Sequence, residues 1–329
     1  MIYFDPRWSG PHGIGRFSTE VASRLGDVSN VHPGVRKLSP FDPLATTLAV
    51  ARLRSGVYFT PGFNPPLRCP IPFVFCIHDL IHLRFAGEST PLRRAYYRWI
   101  VGPASRIAFR VLTLSKHSQS TIVEWTGLPA ERVEVVGCGI AAAFRPEGMS
   151  HDPGFPYFLF VGRRGAHKNV ARLLAGYAGS RSRKDIRLLF TGPPDRATEA
   201  LVRRHGLDGQ VHFSPVLSDA ELAAYYRGAV ALAFPSLYEG FGLPIAEAMA
   251  CGTPVLTSDA TSIPEVTGQG NAVVVDAMRG DAIAEGLDHI ASDAGLRLSL
   301  RERGLQRALG FSWDNVADRV RRVLAAAQG

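Results

Sequence analysis

Two glutamates in one short segment are the residues of this 329-residue chain best suited to chemistry. Glu239 and Glu247 follow the apolar run Val230–Phe234, which predicts a buried strand, and Pro244 favours the start of a helix. Between the glutamates, backbone amides would point out of a helix N-terminus, where phosphate or sugar oxygens bind well. These amides belong to Gly240, Phe241, Gly242 and Leu243. Such a turn between two carboxylates suits a ligand with hydroxyls at both ends and phosphate in the middle, such as a nucleotide-diphosphate sugar.

The segment Ser236–Met249, continued by Ala250–Val255, resembles the E-x7-E signature of the family 4 retaining glycosyltransferases, which have the GT-B fold. The resemblance implies that Glu247 holds the ribose diol of the donor and that Glu239 contacts the donor sugar. The alternative is a helix-capping carboxylate beside an ordinary surface glutamate.

A basic loop, Gly162–Asn169, lies earlier in the chain, between a predicted strand and the helix that follows it. It is similar to the basic loop with which this family holds the donor diphosphate, although His167 stands where relatives have an arginine. Fixed cations stabilise the negative charge that grows on a departing diphosphate. We assign Lys168 and Arg163 to this role, with Arg164 as the substitute for the missing arginine. Solvated surface charge is the alternative.

The metal-binding Asp-x-Asp pair of other nucleotide-sugar enzymes is absent from the sequence. We therefore predict a metal-independent reaction with no cofactor, in which the nucleotide sugar is a substrate. His78 and His82 have the spacing of a zinc pair, but no third ligand is apparent in the sequence.

Further candidates come from loops at predicted strand ends. Gly10–Arg16, with Pro11 and His12 inside it, resembles the family's N-terminal glycine loop; Gly13 and Gly15 would approach the donor phosphate, and Arg16 would meet donor or acceptor. His78 and Asp79 follow an apolar run, at the strand end where α/β sheets place ligands. The resemblance implies that His78 lies close to the donor sugar, and we place Asp79 on the acceptor side. Val216 and Leu217 are predicted to bound the nucleotide base.

Composition describes a globular protein, with 46% hydrophobic and 20% charged residues. The four cysteines have no C-x-x-C spacing, and the N-terminus lacks the features of a signal peptide, so a reducing cytoplasm is predicted. Residues 1–150 contain 17 Lys and Arg against 10 Asp and Glu, and therefore hold +7 of the net charge of +8. A basic face suits anionic partners.

The arginines and aromatic residues of Pro91–Arg110 suit a helix at an acidic membrane surface, which would place the protein at the inner face of the cell membrane. Equally, the aromatic face could pack in the core while the arginines are solvated. The sequence contains no nucleic-acid-binding signature, and we do not expect nucleic acid as a partner.

Strand-like runs alternate with helical patterns in both halves, which predicts α/β domains with parallel sheets. We predict a Rossmann-like acceptor-side domain over 1–150, a Rossmann-like nucleotide-sugar domain over 151–310, and a C-terminal helix over 311–329. Arg145–Gly154 is predicted to be a linker. The resemblance implies that the two domains face each other across a cleft and that the last helix packs back on the first domain.

The leading hypothesis is a retaining hexosyltransferase. Resemblance to bacterial O-antigen and polysaccharide mannosyltransferases favours mannose from GDP-mannose, with a UDP-sugar as the other donor. The acceptor would be a polysaccharide or a lipid-diphosphate-linked oligosaccharide. A nucleotide-sugar epimerase of the same fold and a catalytically silent glycan- or partner-binding protein remain the alternatives.

Overall fold

The computed structural model describes residues 1–10 and 13–329, and its contacts divide these into two compact units. Unit 1 comprises Met1–Gly139 and Ser312–Gly329, and unit 2 comprises Ile140–Phe311. Each unit contains one six-stranded sheet whose strands all pair in parallel. This architecture confirms the predicted α/β class.

The sheet of unit 1 has the order β2-β1-β3-β4-β5-β6. Its strands are β1 (Ile2–Phe4), β2 (Val28–Asn30), β3 (Val57–Thr60), β4 (Phe73–Cys76), β5 (Arg110–Thr113) and β6 (Val133–Val135). Every residue of β3 and β4 is buried, as expected for strands covered by helices on both faces.

The sheet of unit 2 has the order β12-β11-β10-β7-β8-β9. Its strands are β7 (Tyr157–Phe160), β8 (Arg187–Phe190), β9 (Val211–Phe213), β10 (Ala231–Phe234), β11 (Val255–Thr257) and β12 (Val273–Val274). The strand order reverses next to β7, the kind of position at which open α/β sheets bind ligands beyond the carboxyl ends of the strands.

Helices connect the strands in both units. In unit 1 they are α1 (Gly13–Ala22), α2 (Asp42–Val50), α3 (Ile81–Arg84), α4 (Pro91–Tyr96), α5 (Gly102–Ile107) and α6 (Lys116–Thr126). In unit 2 they are α7 (Val170–Gly179), α8 (Arg196–Arg204), α9 (Asp219–Gly228), α10 (Leu243–Ala250), α11 (Ile263–Thr267), α12 (Gly280–Ser292) and α13 (Ala294–Ala308). A π-helical segment, Tyr97–Val101, joins α4 to α5. Ser218 and Glu221 form a capping box, with both reciprocal bonds, at the start of α9.

The last helix, α14 (Trp313–Ala326), belongs to unit 1 rather than to the sheet that precedes it in the chain. Arg24, just beyond α1, donates to Asp314 at 2.6 Å, and Arg319 donates to the carbonyl of Val136 at 3.2 Å. The chain therefore returns to its first unit, as the resemblance implies. No helix of the described residues is long and apolar enough to cross a bilayer.

Candidate active site

Glu239 lies in the loop after β10 and is held by two side chains. The Nζ atom of Lys168 lies 2.8 Å from Glu239 Oε1, and the Ser236 hydroxyl donates to the same oxygen at 2.6 Å. The side chains of Lys168 and Glu239 are only 12% and 10% exposed. Two of the residues predicted to form the site, 71 positions apart, therefore form one nearly buried ion pair.

A second loop, after β11, holds the backbone of Glu239. The amide of Glu239 donates to Thr261 Oγ1 at 2.9 Å, and the hydroxyls of Thr261 and Ser262 donate to its carbonyl at 3.1 and 2.8 Å. Thr261 adopts φ +55°, a left-handed conformation that is unfavourable for a β-branched residue. Sequence reasoning missed Thr261 and Ser262, because nothing local to them indicates contact with a residue 22 or 23 positions away.

Glu247 lies in the second turn of α10 and is buried. The hydroxyl of Tyr226, on α9, donates to Glu247 Oε2 at 3.1 Å. Tyr226 is another residue that the sequence analysis did not select. Its hydrogen bond orients the carboxylate predicted to hold the ribose.

The predicted anion-binding turn precedes α10. Gly242 has φ +99° and is the residue before the first helical position, where a side chain would be strained. Leu243 and Pro244 begin the helix, and Phe241 packs edge-on against Phe311 with ring centroids 5.6 Å apart. With Gly240, these residues form the turn whose amides lie at the positive end of the helix dipole.

The basic loop Gly162–Asn169 lies between β7 and α7, as predicted. The carbonyl of His167, which is buried, accepts from the amide of Leu237 at 2.7 Å and lies 3.0 Å from the hydroxyl oxygen of Ser236. His167 therefore joins the basic loop to the Glu239 loop through its backbone, a role that does not require an arginine side chain.

The two arginines of this loop differ in their exposure and in their hydrogen-bond partners. Arg163 is exposed. Arg164 donates to the carbonyls of Thr191, Gly192 and Pro193 at 2.8–3.1 Å and pairs with Asp195 at 3.1 Å. The guanidinium of Arg164 is thus occupied in holding the loop after β8, which favours a positioning role for it over direct contact with phosphate.

Asn169, also missed from the sequence, connects three loops of unit 2. It has φ +59°, and its side-chain amide donates to the carbonyls of Pro235 and Ala277 at 3.0 and 2.7 Å. In the sequence, only its position next to Lys168 could have indicated that Asn169 belongs to the site.

The two residues predicted to bound the base lie between β9 and α9, where Val216 is 83% exposed and Leu217 is partly buried.

The remaining predicted site residues belong to unit 1. Pro11 and His12 lie outside the described residues, whereas Gly13, Gly15 and Arg16 form the first turns of α1. A β-carbon on Gly15 would lie 2.3 Å from the carbonyl oxygen of Gly10, so this close approach requires glycine.

His78 and Asp79 follow β4, as predicted. The Nε2 atom of His78 lies 2.8 Å from the Pro61 carbonyl, which can only accept, so Nε2 carries the proton. Asp79 accepts from the amide of Ile81, the first residue of α3, at 3.0 Å.

His82 differs from His78 in its surroundings. It packs against Tyr97 with ring centroids 4.0 Å apart, and burial, helped by the charge of Arg93, lowers the pKa of His82 to about 4. His82 is therefore neutral at physiological pH. Among the described residues, no three His, Cys, Asp or Glu side chains form a group that could hold a metal ion.

Cys251, in unit 2, is poorly suited to act as a nucleophile. Cys251 follows α10 directly and is fully buried. Burial raises the pKa of its thiol to about 12, so the reactive thiolate is scarce at neutral pH.

Models of two protein families match the chain. "Glycosyl transferases group 1" matches residues 146–307, and "Glycosyltransferase Family 4" matches residues 9–144. The O-antigen chain mannosyltransferase B of Escherichia coli is 32% identical over 83% of this chain and 75% of its own length. The chain belongs to glycosyltransferase family 4. Membership confirms the resemblance and the prediction of a glycosyltransferase.

Another relative is the MMP alpha-(1->4)-mannosyltransferase of Mycolicibacterium hassiacum, 34% identical over 69% of this chain. The match spans 57% of that relative. Among solved structures, WaaG, a glycosyltransferase involved in lipopolysaccharide biosynthesis, aligns with a TM-score of 0.75 at 17% identity, over 98% of this chain and 99% of its own. This similarity confirms the predicted GT-B fold.

Proposed function

We propose that this glycosyltransferase moves mannose from GDP-mannose, with retention of configuration and without a metal ion, onto a polysaccharide or lipid-linked oligosaccharide. The nearly buried Lys168–Glu239 pair is the observation that carries the proposal. A cation and a carboxylate in contact beyond the carboxyl ends of the strands of unit 2 support a site that acts on the diphosphate and the sugar of one donor. The names of the two relatives support mannose as the transferred sugar.

The pair suggests how binding and reaction are linked. Glu239 Oε1 lies within hydrogen-bonding distance of both Lys168 and Ser236. A bound diphosphate would compete for the ammonium of Lys168, and the freed lone pairs of Glu239 would accept hydrogen bonds from sugar hydroxyls. Binding of the intact donor thereby exchanges one ion pair for two ligand contacts.

The reaction breaks the bond between the sugar anomeric carbon and the diphosphate oxygen, and it forms a bond from the same carbon to the acceptor oxygen. The electron pair of the broken bond goes to the diphosphate, where Lys168, Arg163 and the amides at the start of α10 stabilise it. The acceptor hydroxyl proton passes to the departing phosphate oxygen on the same face of the sugar, which retains the configuration. Glu247 would hold the ribose throughout.

The experiment measures nucleoside diphosphate release from a panel of GDP- and UDP-sugars, with EDTA present, with and without glycan or lipid-diphosphate acceptors. Acceptor-dependent GDP release from GDP-mannose, with an α-linked product, is expected. Isomerised donor would instead favour the epimerase, and binding without turnover of any donor would favour a silent binding protein. Activity that EDTA abolishes and magnesium restores would contradict the metal-independent reaction.

Two variants test the assigned roles. Glu247→Ala should weaken donor binding, whereas Lys168→Ala should mainly lower turnover. Lys184→Ala and Glu302→Ala, at exposed positions of the same unit, are the matched controls. Full activity of both site variants would refute the assignment.

We also propose peripheral contact of the enzyme with the inner face of an acidic membrane. The excess positive charge of residues 1–150 supports this contact. Sedimentation with anionic vesicles tests it, and absence of binding at low salt would contradict it.

A further inference from the structure

Helix α2 of unit 1 buries two polar side chains, together with Pro43 and Val50, and exposes a stripe of large apolar side chains. Asp42 and Thr46 are fully buried, whereas Leu44 and Leu48 are 52% and 66% exposed and Phe41, the preceding residue, is 70% exposed. Phe41, Leu44 and Leu48 are spaced at i, i+3 and i+7, so they form one stripe, here termed the apolar face. An ordinary surface helix turns such a stripe inward. The apolar face therefore calls for a partner outside unit 1.

A buried ion network holds α2 in this orientation. Arg7 lies 2.7 Å from Asp42 and 2.7 Å from Asp5, and both carboxylates are fully buried. Thr46 accepts from the same guanidinium at 3.1 Å. Rotating α2 to bury its leucines would remove Asp42 from Arg7 and leave buried charge uncompensated, which is strongly unfavourable.

The same network holds a strained residue next to the apolar face. The amide of Leu38 donates to the second carboxylate oxygen of Asp42 at 2.7 Å, with Leu38 at φ +62°. A left-handed conformation is costly for a residue other than glycine, and such strain concentrates at functional positions. Leu38 is nevertheless 41% exposed, so the strain presents an apolar side chain towards solvent.

A cavity of about 420 Å³ opens beside this strained loop. Leu38, Pro40 and Pro43 line one side, and Leu92, Tyr96 and Trp99 line the other. Its walls are mainly apolar, which suits a hydrocarbon chain better than a sugar.

The π-helical segment Tyr97–Val101 shapes the far wall of the cavity. It buries Tyr97 and Val101 in the core of unit 1, yet leaves Trp99 67% exposed; Leu92 of α4 is 72% exposed. Single π turns of this kind inside helices are frequent at functional sites. One aromatic residue of this segment, Tyr97, thus packs in the core, and another, Trp99, lies at the surface.

The charge around the cavity identifies the partner. Ser89–Arg110 contains five arginines and no acidic residue, and Arg93, Arg94 and Arg98 are exposed. A second copy of the chain would present the same positive charge and be repelled. An anionic bilayer combines phosphate charge at its surface with hydrocarbon beneath, which matches arginines beside exposed Leu, Phe and Trp.

We propose that the apolar face and the adjoining cavity dock unit 1 on an anionic lipid bilayer, with one lipid hydrocarbon chain in the cavity. The proposal gives the membrane contact proposed above a specific surface, and it is independent of the donor chemistry of unit 2.

The test is flotation of the full chain with vesicles of phosphatidylcholine, alone or mixed with phosphatidylglycerol. Wild type should bind the mixed vesicles, and Phe41→Ser/Leu48→Ser should bind about tenfold or more weakly, because two large apolar side chains lose their burial in the bilayer. Leu298→Ser/Leu309→Ser, at exposed positions of unit 2, is the matched control and should bind like wild type.

Tryptophan quenching tests the cavity separately. All four tryptophans lie in unit 1, and Trp8 and Trp313 are buried. Lipids brominated in their acyl chains should quench the fluorescence of the wild type, and most of this quenching should disappear in Trp99→Phe. Quenching that is unchanged in this variant would refute insertion of a chain beside Trp99.

Two further outcomes would overturn the proposal. One is equal vesicle binding by wild type and Phe41→Ser/Leu48→Ser. The other is a wild-type dimer in solution that this double variant converts to a monomer, which would assign the apolar face to a second copy. GDP binding by the wild type, measured by calorimetry without vesicles, keeps the donor assignment apart from the membrane proposals. A wild type that binds no GDP would refute the donor assignment. GDP binding together with failed vesicle binding would refute the membrane contact and this surface, and would leave the donor assignment standing.

Discussion

The Lys168–Glu239 pair offers the sharpest test of the site, because its strength follows from its geometry. At 2.8 Å, Coulomb's law with an effective dielectric constant of about 20 gives an attraction of about 6 kcal/mol before desolvation. Desolvation of the two ions offsets several kcal/mol of this. We therefore expect a net coupling of about 2 kcal/mol, above the typical value of less than 1 kcal/mol for exposed pairs.

The perturbations are Lys168→Met, Glu239→Gln and their combination. Lys168→Met keeps the length of the side chain but leaves a carboxylate that is only 10% exposed without its cation, so it should lower the free energy of unfolding by about 3 kcal/mol. Glu239→Gln should cost less, because the Ser236 hydroxyl can still donate to the amide oxygen. The loss in the free energy of unfolding of the double variant should be about 2 kcal/mol smaller than the sum of the losses of the two single variants.

The assay is urea unfolding followed by far-ultraviolet circular dichroism, which reports on both units, and by tryptophan fluorescence, which reports on unit 1. The change should appear in the dichroism. Arg84→Met and Glu124→Gln form the control cycle, because that pair is 52% and 73% exposed. A coupling between Lys168 and Glu239 no larger than that of the control pair would refute the reasoning that burial makes this ion pair strong.

Three other predictions follow from single contacts. Thr261→Ala should lower kcat/KM in the GDP-release assay by about tenfold, because Glu239 loses two backbone hydrogen bonds, and Thr261→Ser should restore most of the activity; an alanine variant as active as wild type would contradict this. Asp42→Asn should destabilise unit 1 by about 3 kcal/mol in fluorescence-monitored urea unfolding, because the charge of Arg7 loses a buried partner, and a change below 1 kcal/mol would show the network to be dispensable. His82 has a pKa of about 4 in the folded state against about 6.5 unfolded, so the unfolded state binds the proton first as pH falls. Its contribution to stability is complete above pH 6.5 and should decline by about 2 kcal/mol between pH 7 and pH 5; His82→Phe should flatten this part of the stability–pH curve, and an unchanged slope would refute the assignment.

The central strands were predictable because most of them are short, mainly apolar runs between turn residues. Val230–Phe234, for example, corresponds to β10 at Ala231–Phe234. Helix α2 was not predicted, for a physical reason. Leu44 and Leu48 do not face the core, so the pattern of α2 could be interpreted only once Arg7 was known to hold Asp42 and Thr46 inward.

The sequence by itself determined the class of the protein and the parts of its chemistry that lie close together in the chain. The glutamate pair, the glycine turn at the start of α10 and the basic loop after β7 each depend on local spacing, because a strand end, a tight turn and a helix start impose fixed residue types. These patterns sufficed to predict the fold, the family and the residues to examine.

Only the tertiary structure decided which side chains meet. Lys168 contacts Glu239 across 71 residues, Thr261 holds the same glutamate from the next strand, and Tyr226 reaches Glu247 from a neighbouring helix. It also decided that Arg164 is occupied by the loop after β8 and that α2 presents its leucines outward. The parallel sheet brings distant strand ends to one edge, and the distances there depend on packing that no local pattern encodes.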